Sequence, residues 1–139
     1  MIFATSVREW EYRNMFRAFE KAHPERAWAL TAQPEGDPYY FEKLDAYCCM
    51  RRCSDKIVEV TGAFRLGTEP GLAQAVCDLA RTLGYRRIIL DCFSQVAPAW
   101  ARAGFAVHRI EKFNEAFAPS LWRPEYGRPD VLYMTKEVA

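Results

Sequence analysis

The run Val58-Glu59-Val60-Thr61-Gly62-Ala63-Phe64-Arg65-Leu66-Gly67, continued by Pro70-Gly71-Leu72 and closing on Ile88-Ile89-Leu90-Asp91-Cys92, decides the fold. Residues 56–61 (Lys-Ile-Val-Glu-Val-Thr) are rich in β-branched side chains and read as a strand. Gly62, Gly67, Pro70 and Gly71 then read as a glycine-rich loop. Leu72, Val76, Leu79, Ala80 and Leu83 recur on one helical face, and Gly84 stands where a C-capping glycine is expected. Residues 87–92 form a compact β-rich run, the composition of a buried strand. Strand, loop, helix and strand make a βαβ unit, whose two strands are predicted to be parallel.

Outward from this unit, Ser6 and Glu9 have capping-box spacing. Tyr12, Met15, Phe16, Phe19 and Ala22 follow at helical period until Pro24, so a helix is predicted over 7–22. Residues 27–32 read as a short strand and 33–38 as a loop. Leu44, Ala46, Cys48 and Met50 alternate with Asp45, Tyr47, Cys49 and Arg51, as in a half-buried strand. With a turn at Ser54-Asp55, residues 44–61 become a hairpin. Beyond Cys92 a short helix is expected over 95–103, closed by Gly104, then a strand over 105–113. A proline-bearing loop over 114–130 leads to a last strand over 131–136. The order αβββαβαββ predicts one α/β (α+β) domain with a mixed central sheet flanked by helices.

Composition narrows the function. The chain has 139 residues, enough for one domain, and half of them are hydrophobic, which excludes a disordered tail. Nineteen basic against eighteen acidic residues leave a net charge of +1, without the basic excess of a duplex-binding domain. No apolar run approaches the 18 residues of a membrane span, and Met1 to Ser6 carries no basic flank or apolar core of a secretion signal. Five cysteines (Cys48, Cys49, Cys53, Cys77, Cys92) fit no disulfide framework, so reduced thiols and a cytoplasmic location are expected. No C-x-x-C occurs and His23 and His108 stand alone, so no metal is expected.

A glycine turn opening a helix suits an anion, because its amides point outward beside the positive end of the helix dipole. Arg65 in the same loop can pair with a phosphate. The other reading is a plain connecting turn that needs glycine for its dihedrals. The spacing Gly67-Thr68-Glu69-Pro70-Gly71 departs from the dinucleotide fingerprint even though Asp91 lies 20 residues on, and no phosphate-loop Gly-Lys-Ser/Thr occurs.

The segment 58–105 resembles the GNAT superfamily of acyl-CoA N-acyltransferases. The carrying residues are Arg65-Leu66-Gly67, the helix from Gly71, Gly84-Tyr85 with its following strand, and Trp100-Ala101-Arg102-Ala103-Gly104-Phe105. The tail is similar to GNAT-like domains encoded by bacteriophages, through Leu90-Asp91-Cys92-Phe93, Phe113-Asn114, Ala118-Pro119, Trp122, Gly127-Arg128-Pro129-Asp130-Val131 and Tyr133-Met134. The resemblance implies acetyl-CoA as co-substrate and no metal. Its pyrophosphate is expected on the amides of 65–71 and the next helix, and its pantetheine between strands 56–62 and 87–92. Val60, Gly62, Phe64, Arg65, Leu66, Gly67, Gly71, Leu72 and Trp100 are the cofactor-binding set so implied.

The family's acidic tyrosine aligns with Trp100, and an indole has no proton to give. Glu59 is the first base to consider and Asp91 the second, each also readable as a plain strand residue. Phe113, Phe117, Trp122, Tyr126 and Tyr133 either wall an acceptor pocket or pin the long loop, and Tyr39-Tyr40-Phe41 is a partner patch if exposed. The implied activity is acetyl transfer to a primary amine of a small molecule or protein, by direct attack in a ternary complex. The alternative is a phage accessory protein that binds a host enzyme in the host cytoplasm. A monomer or a homodimer suits either. Neither nucleic acid nor membrane is an expected partner.

Overall fold

Three aromatic residues spaced four and three apart, Tyr12, Phe16 and Phe19, decide how the first helix sits. In the computed structural model, which describes residues 3–138, helix α1 spans Glu9–Ala22 and buries all three against a sheet. Met1 and Ile2, which begin the stretch read for a secretion signal, lie outside the described residues. The remaining elements are β1 (Ala4–Ser6), α2 (Pro24–Ala27), β2 (Asp37–Phe41), β3 (Ala46–Arg52), β4 (Ile57–Arg65), α3 (Leu72–Thr82), β5 (Arg87–Phe93), α4 (Ala97–Arg102), β6 (Ala106–Glu111) and β7 (Val131–Glu137). They build one seven-stranded sheet in the order β1-β2-β3-β4-β5-β7-β6. Every neighbouring pair is antiparallel except β4 and β5, which are parallel, as the βαβ reading requires.

Two apolar clusters cover the two faces. Tyr12, Phe16, Phe19 and Ala27 pack with Tyr47, Cys49 and Phe64 on the α1 side. Val76, Leu79 and Ala80 of α3 and Ala97 of α4 pack with Cys48, Met50, Val58, Val60, Ile88, Leu90 and Met134 on the other. Strand β3 feeds both clusters, so residues 46–50 are buried on both faces instead of half-buried as their alternation predicted. A sheet covered on both faces hides the polar–apolar contrast that a one-sided strand would show.

Strand β4 runs through residues expected to be loop. Gly62 lies inside it, and the connecting loop begins only at Leu66. The register against β3 passes from Cys49↔Gly62 to Met50↔Val60, leaving Thr61 as the extra residue of a β-bulge. The bulge changes the parity of the strand. Val58 and Val60 belong to the α3-side cluster, whereas Phe64 belongs to the α1-side cluster. A Cβ on Gly62 would come 2.5 Å from the Tyr12 hydroxyl, so only glycine passes this point of the strand under α1.

The N-terminal third departs further from expectation. Ser6 is in β1 rather than capping a helix; α1 begins at Glu9 after an extended Arg8 that makes no side-chain cap. The strand predicted over 27–32 is absent. Pro24 opens the single turn of α2, since proline fits the first helical position, and Trp28 follows it into the core. The strand forms instead at Asp37–Phe41, within the segment assigned to loop and aromatic patch. Pro38 is tolerated there because β2 pairs with β1 only over Tyr39–Phe41. Phe41 is fully buried, so the Tyr39-Tyr40-Phe41 run is a strand and not a free aromatic patch. Among the described residues, no helix is long and apolar enough to cross a membrane.

Candidate functional site

Strands β4 and β5 pair over only three residues, Ile57–Glu59 against Arg87–Ile89. Beyond Glu59 and Ile89 they diverge, β4 running on to Arg65 and β5 to Phe93. On this side Val60 to Arg65 have no strand partner, so backbone N–H and C=O groups face the gap between the strands. The divergence opens toward the carboxyl ends of two parallel strands, where open α/β sheets place their ligands.

The loop from Leu66 to Gly71 and the start of α3 sit at that open end. The amides of Leu66 and Gly67 both donate to the Asp45 carbonyl, at 2.8 and 3.2 Å. Asp45 itself has φ 47° and accepts a hydrogen bond from the Tyr40 hydroxyl. These two amides, counted in the sequence reading toward a phosphate, are therefore engaged inside the protein. A Cβ on Gly67 would stand 2.7 Å from the Leu44 carbonyl, so glycine is needed there for close backbone approach. Arg65 Nη1 donates to the Glu69 carbonyl at 2.9 Å and closes the loop on itself. Gly71 has φ 109°, and its carbonyl accepts the first α3 bond, from Ala75. Among the described residues, the amides of Thr68, Glu69, Leu72, Ala73 and Gln74 have no protein acceptor. The free amides thus lie in the 68–74 stretch rather than in a cup starting past Gly62.

The other implied cofactor residues scatter over both faces. Val60 is buried on the α3 side. Phe64 is buried under α1 and Leu66 packs beside it, so neither side chain meets the gap; only their backbone can contribute. Trp100 stacks edge-on against Phe105 at 5.2 Å and packs on the α3-side core.

Glu59 and Asp91 come together on one face. Val58 and Leu90 point to the α3 side, so Glu59 and Asp91 point to the α1 side of the neighbouring strands. Arg51, directly opposite Glu59 on β3, donates from Nε at 2.9 Å and from Nη2 at 2.7 Å to the same oxygen, Oε1. Glu35 adds a second carboxylate 3.7 Å from Arg51. Among the described residues Asp91 makes no ion pair; partial desolvation, then the charge of Glu59, raises its carboxyl above the usual range. Sequence reading missed Arg51 and Asp45. The hairpin register could have found Arg51, because opposite charges across a strand pair are a recurrent contact.

Aromatic residues line the same face. Trp28 packs on Phe93 at 4.8 Å and stacks on Tyr126 at 5.8 Å; Phe113 bridges Phe93 and Trp122. The Trp122 indole donates to the Gly127 carbonyl at 2.7 Å. These rings pin the 114–130 segment to the sheet and to α2, whereas Phe117 is exposed. Between them runs a groove of about 330 Å³ lined by Glu20, Pro24, Trp28, Leu121, Trp122, Arg123 and Tyr126. A wider groove of about 620 Å³ follows β1 and the start of α1, three strands away from β4.

All five cysteines are free, and Cys48 and Cys49 face opposite clusters. Burial pushes the Cys92 thiol up to about 11, which leaves it protonated and inert at neutral pH. Among the described residues, no three His, Cys, Asp or Glu side chains gather to hold a metal ion.

No protein-family model matches the sequence, and no curated protein matches it significantly. Solved structures do. An acetyltransferase from Bacillus subtilis in complex with CoA superposes with a TM-score of 0.64 at 12% identity, over 100% of both chains. The ribosomal-protein-S18-alanine N-acetyltransferase from Escherichia coli gives 0.61 at 11% identity, over 100% of this chain and 95% of that one. A GNAT family acetyltransferase from Elizabethkingia anophelis with acetyl-CoA bound gives 0.62 at 12% identity, over 98% and 97%. With its diverging β4 and β5 and its helix α3 at their open end, this chain has the fold of the GNAT acetyltransferases.

Proposed function

We propose that the protein is an N-acetyltransferase that moves acetyl from acetyl-CoA to a primary amine by direct attack in a ternary complex. The observation that carries this reading is the three-residue pairing of β4 with β5, which leaves strand backbone facing a gap beside the free amides of 68–74. The pantetheine amides fit as an added strand along Val60 to Gly62, and the phosphates fit the amides of Thr68, Glu69 and Leu72 to Gln74. The acceptor reaches the acetyl group from the α1 side, where Glu59 and Asp91 lie and the 330 Å³ groove opens.

Asp91 is the base in this reading. Glu59 is held by Arg51, while Asp91 makes no ion pair among the described residues and sits where its proton affinity is raised. The amine nitrogen forms the C–N bond, Asp91 takes its proton directly or through one water, and the C–S bond breaks to release thiolate. Trp100 donates nothing to that thiolate, which takes its proton from solvent.

A second reading keeps the fold without the chemistry: an accessory protein, of the phage-encoded kind, that binds a host enzyme in the host cytoplasm. Trp100 at the acid position and the engagement of the Leu66 and Gly67 amides favour it. Thermal unfolding in the presence of acetyl-CoA or free CoA separates the two. Ligand at about 100 times its Kd adds about 2.7 kcal/mol, a shift of several degrees. No shift at millimolar acetyl-CoA overturns the enzyme reading and leaves the binding one.

A further inference from the structure

Helix α1 brings one hydroxyl down to strand β4 at the place where that strand has parted from β5. Tyr12 is 2% exposed, its ring set edge-on to Phe64 at 5.2 Å and to Tyr47 at 6.1 Å. A Cβ on Gly62 would meet the Tyr12 hydroxyl oxygen at 2.5 Å, so that oxygen lies over the Gly62 backbone on the α1 side. Gly62 belongs to the stretch of β4 whose edge toward β5 is open to the gap.

The neighbouring tyrosines spend their hydroxyls inside the protein, Tyr40 on Asp45 and Tyr47 on Glu11. Among the described residues the Tyr12 hydroxyl has no such partner, and it is not one of the two polar atoms sealed away without one, Trp28 Nε1 and Thr135 Oγ1. The hydroxyl therefore keeps part of the small surface left to this residue. A hydroxyl brought into a packed layer and given no partner loses its hydration for nothing unless something else takes it. Burial first, then the neighbouring Cys49 and Cys48, push its pKa up, so it keeps its proton at neutral pH and acts as a donor.

We propose, on the basis that the protein is an acetyltransferase, that the Tyr12 hydroxyl donates a hydrogen bond to the acetyl carbonyl oxygen of the bound thioester. With the phosphates on the amides of 68–74, the thioester end of the carrier points to the closed end of the gap, where Val60 to Gly62 lie. The amine arrives from the α1 side, the side on which Tyr12 stands over Gly62. As the C–N bond forms, an electron pair moves from the carbonyl bond onto oxygen, and a fixed donor in a buried site stabilises that charge. The pair returns as the C–S bond breaks. Tyr12 keeps its proton throughout, so the thiolate still takes its own from solvent. Other donors are committed elsewhere: the Leu66 and Gly67 amides go to Asp45, and Trp100 packs on the α3-side core. Glycine at 62 gains a second purpose, since it lets the hydroxyl come down to the level of the strand backbone.

Tyr12→Phe keeps the ring and removes the hydroxyl. Infrared difference spectra of the full chain with acetyl-CoA isotope-labelled at the acetyl carbonyl carbon read the bond itself. The expected carbonyl band lies at lower wavenumber on the wild type than on Tyr12→Phe, while acetyl-CoA raises the melting temperature of both by the same amount. Gly62→Ala checks where the hydroxyl stands. Its Cβ meets the Tyr12 oxygen at 2.5 Å, whereas the next atoms, of Pro34, are in ordinary contact at 3.4 and 3.5 Å. Gly62→Ala is therefore expected to lower the melting temperature of the wild type and to lower it much less in the Tyr12→Phe background. Equal losses in the two backgrounds place the hydroxyl elsewhere and overturn the proposal. Acetyl-CoA that gives no thermal shift on the wild type removes the acetyltransferase reading and this inference with it. Bound acetyl-CoA with the same carbonyl band on both proteins overturns the role of Tyr12 alone.

Discussion

Asp91 and Glu59 occupy neighbouring strands on one face, yet their surroundings give them different roles. Arg51 neutralises Glu59, while Asp91 makes no ion pair among the described residues and has its proton affinity raised. A carboxyl whose affinity for a proton is higher folded than unfolded makes the protein less stable once the pH passes its unfolded value. Asp91→Asn is therefore expected to raise the melting temperature slightly at pH 7, and the gain vanishes on acidification below the ordinary carboxylate range. The same change lowers kcat on the order of a hundredfold if Asp91 takes the proton, with KM for acetyl-CoA unmoved. Gly67 is constrained by contact rather than charge. Gly67→Ala drives a methyl into the Leu44 carbonyl and displaces the loop from Asp45. A loss of about 1–3 kcal/mol in urea unfolding is expected, together with weaker acetyl-CoA binding.

At the scale of elements, the bulge at Thr61 governs the sheet. It lets β4 bury Val58 and Val60 against α3 and Phe64 against α1, two faces that an unbroken strand would not serve in that spacing. The Thr61 hydroxyl donates to the Glu35 carbonyl at 2.6 Å and lies 3.3 Å from that of Cys49, tying the extra residue to the segment that precedes β2. Deleting Thr61 removes the bulge and makes Val60 and Gly62 neighbours in a regular ladder, so Gly62 to Arg65 keep their faces and their β3 partners, and the expected outcome is cooperative thermal unfolding with only a modest loss of stability. Thr61→Val keeps the parity and removes only the tie, which predicts a loss near 1 kcal/mol. A deletion variant that loses cooperative unfolding would show that Thr61 is more than an extra residue in the ladder.

Across the whole molecule, Trp28 ties the N-terminal third of the chain to its C-terminal segment. This residue is 2% exposed, and its ring joins α2 to Phe93 at the end of β5 and to Tyr126 of the long C-terminal segment. The wall of the 330 Å³ groove therefore depends on one indole from the N-terminal third of the chain. Trp28→Ala is expected to cost about 3–5 kcal/mol and to expose the 114–130 segment to limited proteolysis before the rest of the domain is cut. Cleavage appearing first elsewhere would mean that the loop is held by other contacts. Under the proposed function, with the amine entering by this groove, loop variants and Trp28 variants are expected to change KM for the amine together.

The chain sequence alone determined the βαβ unit, the inward face of α1 and α3, and the Gly84 stop, because helical period, strand alternation and turn chemistry act between near neighbours. It also brought Glu59 and Asp91 forward as the two acids to consider. Only the tertiary structure decided that Thr61 bulges, that β2 forms at Asp37 and not at Ala27, that Asp45 takes two loop amides, and that Arg51 engages Glu59. Each of these is a pairing between residues on different elements. Local pattern carries the preference of a segment for helix or strand, but register and hydrogen-bond competition are settled when distant strands meet and each buried amide finds its one acceptor.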